Sequence, residues 1–268
     1  MAQTPTQSNA ASTPSARIAL VTGAGRRVGR VIALALARRG WDVAVHCHRS
    51  RTEADAVAAE ITAMGQRAAV LQADLSDEAA AGGLIGDCIA ALGTPTCLVN
   101  NASLFQYDVA TSFSYASLDT HMRTNVAAPL LLSRELHRAL TADDAQHRGV
   151  VINLLDQKLD NLNPDFLSYT LSKAALSTAT MQLAQALAPA LRVVGVAPGI
   201  TMVSGDQSQG GFARAHQMTP LGQSSTPEDI AEAVCYLATA RAVTGTTLFV
   251  DGGQHLMPLA RDVMFLAE

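Results

Sequence analysis

Short apolar or β-branched runs alternate with longer Ala- and Leu-rich stretches along almost the whole chain. The runs are Ile18–Thr22, Asp42–His46, Ala68–Gln72, Cys97–Asn100, Val150–Leu154, Arg192–Ala197 and Thr247–Val250. Helical stretches lie between them near 27–39, 52–64, 77–92, 115–140, 165–188 and 227–240. A strand apolar at consecutive positions is covered on both faces, and a helix after each strand is the crossover that parallel pairing needs. Such crossovers are right-handed, so the pattern predicts an α/β chain with a doubly wound, Rossmann-type parallel sheet and helices on both faces. Neither an internal repeat nor a composition break marks a second domain, and residues 16–268 read as one unit. With 49% hydrophobic and 16% charged residues, one large core is within reach.

Composition narrows the function classes. The net charge of −4 carries no basic signature for nucleic acid or an anionic membrane, and no apolar run is long enough to span a bilayer. Residues 1–15 are polar and lack the basic start and apolar stretch of a secretory signal, which predicts a disordered leader on a cytoplasmic protein. Cys47, Cys88, Cys97 and Cys235 are scattered without metal-type spacing, consistent with reduced thiols. His46 and His48 alternate at a strand end, but no further cluster of ligands accompanies them, so no metal site is predicted.

After the first strand the sequence Thr22-Gly23-Ala24-Gly25-Arg26-Arg27-Val28-Gly29 opens directly into a helix. Glycines allow a tight turn and close backbone approach to a pyrophosphate, whose charge the helix N-terminus favours. An NAD-type site would place an acid at the end of the second strand to bind the ribose 2′-hydroxyl. That place reads His46-Cys47-His48-Arg49-Ser50. A carboxylate would repel a 2′-phosphate, whereas a guanidinium grips it, so Arg49 and Arg26 are candidates for that phosphate and the cofactor is expected to be NADP(H). The alternative is two ordinary surface arginines.

Tyr169 and Lys173 are four residues apart on a predicted helix, one turn apart on the same face, and Asp156 lies thirteen positions before the tyrosine. A cation beside a phenol pulls its pKa down toward neutrality, which would make Tyr169 a usable proton donor or acceptor. An ionised Asp156 is acceptor-only and would face a carbonyl oxygen unfavourably, but it can accept from the N–H groups of a nitrogen heterocycle. Alternatively, Asp156 only caps the turn after the fifth strand. Segment 202–226, rich in Gly, Ser and Gln and without clear periodicity, follows a strand at the carboxyl edge and is read as a substrate lid or a plain connection. The tail 252–268 offers apolar residues that dock on a neighbouring subunit or on their own.

With the glycine turn, Asn100-Asn101-Ala102-Ser103 after the fourth strand, the Tyr169/Lys173 pair and Pro198-Gly199 after the sixth, the chain resembles a short-chain dehydrogenase/reductase. The resemblance implies seven parallel strands in the order 3-2-1-4-5-6-7, hydride transfer, and a homotetramer or homodimer. It implies cofactor contacts from Gly23, Arg26, Arg27, Val28, His48, Arg49, Ser50, Asp74, Leu75, Asn101, Ala102, Ser103, Tyr169, Lys173, Pro198, Gly199 and Thr201. Asp74 would contact adenine, Lys173 the nicotinamide ribose, and Asn125 a proton-relay water.

Three departures are informative. Asp156 replaces the family's usual catalytic serine, Arg27 replaces a glycine of the turn, and the second strand ends in the His-x-His-Arg-Ser string. Together they resemble the pteridine reductase branch, in which an aromatic residue at the Phe105 position stacks on the pterin. Substrate contacts are then expected from Arg27, Ser103, Phe105, Asp156 and Tyr169, with hydride going to a C=N bond and the proton coming from Tyr169. Three alternatives stand beside this: a carbonyl reductase acting on a ketone or 3-oxoacyl substrate, reduction of another nitrogen heterocycle or imine, and a non-catalytic NADP(H)-responsive binding protein.

Overall fold

The computed structural model describes residues 17–142, 148–203 and 208–267. The expected leader at 1–15 therefore lies outside the described residues. Seven strands, β1 (Ile18–Val21), β2 (Asp42–Cys47), β3 (Ala68–Gln72), β4 (Cys97–Asn100), β5 (Gly149–Leu154), β6 (Leu191–Pro198) and β7 (Thr247–Val250), form one sheet in the order β3-β2-β1-β4-β5-β6-β7. Every neighbouring pair is parallel. The expected topology is the observed one.

Side-chain alternation explains the two layers of core. Ala19 and Val21 point into a cluster built with α1 (Arg27–Arg38), α2 (Arg51–Ala63) and α8 (Pro227–Thr239). Ile18 and Leu20 point the other way, onto α3 (Glu78–Ala91) and α5 (Ala128–Thr141). The first connections wind the chain one way and the β3–β4 connection returns it to the other side of β1. The resulting crevice at the carboxyl ends of β1 and β4 is where open α/β sheets bind ligands.

Two expectations need correction. The single helix expected at 115–140 is α4 (Tyr115–Met122), a π-helical turn at Arg123–Ala127, and then α5. Pro129 has no N–H to give the Asn125 carbonyl four residues back, so the α-helical ladder cannot run through this point. The stretch read as aperiodic at 202–226 contains helix α7 (Gln209–Gln217), begun by Ser208, whose hydroxyl accepts from the Gly211 N–H at 2.9 Å; residues 204–207 fall outside the described residues.

The described part of the tail makes contacts within its own chain. Val263 and Ala267, at the ends of the short helix α9 (Val263–Leu266), bury against Ala215 of α7. Arg214 donates to the Ala267 carbonyl at 2.8 Å. Helix α6 (Leu167–Ala186) follows β5 and carries Tyr169 and Lys173.

Candidate active site

The glycine turn is held by groups outside it. Thr22 Oγ1 accepts from the Asn101 and Ala102 amides at 2.9 and 3.0 Å, and Asn101 Nδ2 donates back to the Thr22 carbonyl at 2.8 Å. Gly23 has φ of 65°, and its N–H donates to Nδ1 of His46 at 3.1 Å. A side chain on Gly29 would lie 2.3 Å from the Gly23 carbonyl oxygen and 2.5 Å from Asn101 Nδ2, so only glycine lets α1 pack this closely under the turn. Arg27 takes a left-handed conformation (φ 53°), uncommon for a residue with a side chain. Its guanidinium donates to the Val203 carbonyl at 2.9 Å, tying the turn to the segment after β6, with Val28 half-buried behind it.

His46 holds this turn in place, a role that sequence reasoning missed. It is fully buried, and because Nδ1 accepts from Gly23, Nε2 carries the hydrogen donated to the Ala73 carbonyl at 3.1 Å. Burial depresses its pKa to about 4, which keeps the ring neutral. Both nitrogens are thus engaged, and among the described residues no three His, Cys, Asp or Glu side chains converge as a metal site.

At the end of β2, Arg49 is exposed, and the Ser50 hydroxyl faces Gly25, where a Cβ would approach it to 3.1 Å. His48 lies 3.5 Å from Asp74. Asp74 Oδ1 accepts from the amide and hydroxyl of Ser76 at 2.9 and 2.7 Å, bonds that hold its carboxyl below the ordinary value. Leu75 is buried behind it. The Arg26 guanidinium pairs with Glu53 in the first turn of α2.

Tyr169 sits in the first turn of α6, which has an unusual start. Phe166 precedes the helix with φ of 57° and offers no side-chain cap. Asp108, from the loop after β4, does the capping instead: it accepts from the Ser168 amide at 2.9 Å and the Ser168 hydroxyl at 2.5 Å, while its own carbonyl accepts from Leu167 at 3.1 Å. A carboxylate is favoured at a helix N-terminus, and these bonds hold the Asp108 carboxyl low against the effect of its burial.

The Tyr169 hydroxyl donates to Asp156 Oδ2 at 2.6 Å, and Asp156 Oδ1 accepts from the Lys158 amide at 2.9 Å. Asp156 therefore caps its turn and also accepts from the phenol. Lys173 is buried, donates to the Leu154 carbonyl at 2.6 Å, and lies 5.7 Å from the centre of the Tyr169 ring. Burial lowers its pKa to about 8, with Asp156 opposing.

The expected effect on the phenol is overturned. Burial first, then the charge of Asp156, pushes the Tyr169 pKa well above 10. Burial also raises the Asp156 carboxyl, against the bonds it accepts from Tyr169 and the Lys158 amide.

The Asn125 side chain ties the segment after β4 to α6. Its amide donates to the Leu104 carbonyl at 3.0 Å and the Ser172 hydroxyl at 2.9 Å, and accepts from the Leu104 amide at 2.8 Å and the exposed Ser103 hydroxyl at 3.3 Å. Ser172 in turn donates to the Tyr169 carbonyl at 2.7 Å. Phe105 meets Tyr169 edge-on with ring centres 4.7 Å apart and stacks one face on Phe166 at 4.2 Å. Across the crevice, Gly199 is packed so closely that a Cβ would fall 2.4 Å from Ser224 Oγ. Next to it and to Pro198, Thr201 bonds the Gly199 carbonyl and Ser225 Oγ, both at 2.8 Å.

A family model described as enoyl-(acyl carrier protein) reductase matches residues 23–255. Among solved structures, FolM alternative dihydrofolate reductase 1 from Brucella canis, complexed with NADP, is 40% identical with a TM-score of 0.84, covering 90% of this chain and 95% of that one. Pteridine reductase 1 from Leishmania tarentolae is 30% identical over 285 residues, 91% of this chain and 98% of the relative. The 3-oxoacyl-(acyl-carrier-protein) reductase FabG of Staphylococcus aureus is 31% identical over 243 residues, 89% of this chain and 98% of the relative.

Proposed function

The chain belongs to the short-chain dehydrogenase/reductase family, in its pteridine reductase-like branch, and from that premise we propose that it reduces a C=N bond of a pterin-type heterocycle with NADPH. The observation that carries the reading is the 2.6 Å bond from Tyr169 to Asp156. A carboxylate beside the proton-donating phenol suits a ring bearing N–H groups and is unfavourable to a carbonyl oxygen.

The residues present fit NADP(H). The Thr22–Gly29 turn opens at the N-terminus of α1, and its closely packed glycine keeps side chains away from the backbone that a pyrophosphate approaches. His48, Arg49 and Ser50 supply a cation and donors at the end of β2, where an NAD-type site would carry an acid. Bound NADPH supplies the hydride. Lys173 contributes positive charge from within the site, and Thr201 fixes the backbone at Gly199 beside it.

Tyr169 gives its hydroxyl proton to the ring nitrogen as that nitrogen gains electron density. A nitrogen receiving charge in this way becomes a strong base, so a phenol of raised pKa is still acid enough to protonate it. Asp156 holds the hydroxyl in one orientation, and once the phenol has given up its proton, the carboxyl, its pKa raised by burial, takes up a proton from solvent and passes it to the phenolate oxygen. The Lys173 ammonium offsets the negative charge passing through Tyr169.

A carbonyl reductase remains the second reading, favoured by the 31% identity to the 3-oxoacyl reductase. NADPH oxidation measured with 7,8-dihydropterins beside a panel of small ketones and 3-oxoacyl thioesters separates the two. Turnover confined to dihydropterins supports the proposal, and turnover confined to the carbonyl compounds replaces it with the second reading.

A further inference from the structure

Beyond Phe105, the side of Tyr169 away from the glycine turn is aromatic. Phe166 stacks on Phe105, Tyr107 meets Phe166 edge-on at 5.1 Å, and Phe265 of α9 meets Tyr107 at 5.5 Å and lies parallel to Phe166 at 6.1 Å. Phe105, Tyr107 and Phe265 remain 42%, 53% and 40% exposed although each packs against Phe166. Half-covered rings gathered beside a reactive hydroxyl form a surface for a ligand rather than a finished core.

The tail half of this surface is held by charge. Asp165, four residues before Tyr169 and fully buried, accepts from Nε and Nη2 of Arg261 at 2.8 Å each, from the Asp262 amide at 2.8 Å and from the Tyr107 hydroxyl at 3.3 Å. Asp262 lies 3.3 Å from the buried ammonium of Lys158, which also donates to the Asp165 carbonyl at 2.6 Å and sits 5.3 Å from the centre of the Phe166 ring. Lys158 is the residue whose amide donates to the capping carboxylate of Asp156. The clasp therefore joins the tail to both members of the Asp156–Tyr169 pair.

We propose that Tyr107 and Phe265 are specificity-determining residues: with Phe105 and Phe166 they form one aromatic wall beside Tyr169 for a flat heterocycle, and the ionic clasp of Arg261 on Asp165 and Asp262 on Lys158 holds the tail side of that wall. The inference deepens the pterin reading and rests on it. An ordered ring at position 265 offers offset contact to a planar substrate, and a freed tail does not. Arg261 itself is half exposed, so its replacement leaves no cavity in the core, and Asp165 keeps the bonds from the Asp262 amide and the Tyr107 hydroxyl.

The test is steady-state kinetics of Phe265→Ala, Arg261→Ala and Arg261→Lys with 7,8-dihydrobiopterin and NADPH. The expected result is a KM for the pterin raised roughly tenfold in the two alanine variants, with kcat and the KM for NADPH within about twofold of the parent. Arg261→Lys, which keeps the charge and loses the fork, should recover part of the effect. A tryptophan placed by Phe265→Trp should emit at shorter wavelength with the clasp intact, shift red when Arg261→Ala is added, and be quenched by the pterin. A pterin KM unchanged in both alanine variants, or unquenched emission at saturating pterin, overturns the inference. If the parent reduces no dihydropterin, the pterin reading fails, and the wall is judged on the carbonyl substrates that are turned over. A KM rise confined to flat aromatic ones upholds it, and an equal change for aliphatic ones sinks it.

Discussion

The hydroxyl of Tyr169 donates to Asp156 Oδ2 across 2.6 Å, while the ammonium of Lys173, one turn along the same helix, is directed to the Leu154 carbonyl instead. The phenol is thus oriented by an acceptor rather than ionised by a cation. Its pKa is raised, which suits the proton-donor role proposed for it.

Replacing Tyr169 with Phe removes that donor and leaves the ring contact with Phe105 in place. Turnover is expected to fall by about 10²–10⁴-fold. NADPH affinity, followed by the cofactor's fluorescence, should stay close to that of the parent. Retention of the parental rate would take Tyr169 out of the chemistry.

Gly29→Ala puts a Cβ 2.3 Å from the Gly23 carbonyl oxygen, and backbone cannot yield as a flexible side chain does. The expected outcome is a loss of about 1–3 kcal/mol of stability from overpacking together with a weakened NADPH site. Urea melts and fluorescence titration of NADPH read the two effects separately.

His46 makes stability pH-dependent. Its folded pKa of about 4 lies below the ordinary 6.5, so below pH 6.5 the unfolded chain takes up a proton that the folded one refuses. Stability from this group is complete above pH 6.5 and is lost as the pH falls toward 4, by about 3 kcal/mol over the window. His46→Gln should be less stable at pH 7, because the Gly23 amide loses its acceptor, and should show a flatter dependence between pH 6.5 and 4. Parallel pH curves for the two proteins would refute this assignment.

Asp108→Ala removes the cap of α6. A cost of about 1–2 kcal/mol in urea unfolding is expected, and kcat should fall more than the KM for NADPH rises, because Tyr169 lies in the turn that the cap fixes. Asp108→Asn, which keeps an oxygen acceptor, should recover much of the stability.

What was legible in the sequence was local or periodic. The strands stand within two residues of their expected ends because apolar runs bounded by polar turns mark buried parallel strands without reference to anything distant. The thirteen-residue spacing of Asp156 and Tyr169 brought the two into contact as expected. Long-range and burial effects were not legible. Asp108 caps a helix sixty residues away, and His46 bridges Gly23 and Ala73; neither leaves a local pattern. The direction of the phenol's pKa depended on desolvation, which spacing does not report. Helix α7 was hidden by Gly210 and Gly211 in its first turn, residues that ordinarily mark a break and here follow a Ser208 cap.

The most direct measurement is the ratio of kcat/KM for a 7,8-dihydropterin to kcat/KM for a 3-oxoacyl thioester, determined for the parent and for Asp156→Ser. The carboxylate account predicts a ratio well above one in the parent that falls by at least about tenfold in the variant, whose hydroxyl can donate to a carbonyl oxygen. A parent that prefers the thioester, or a ratio left unmoved by the substitution, would contradict it.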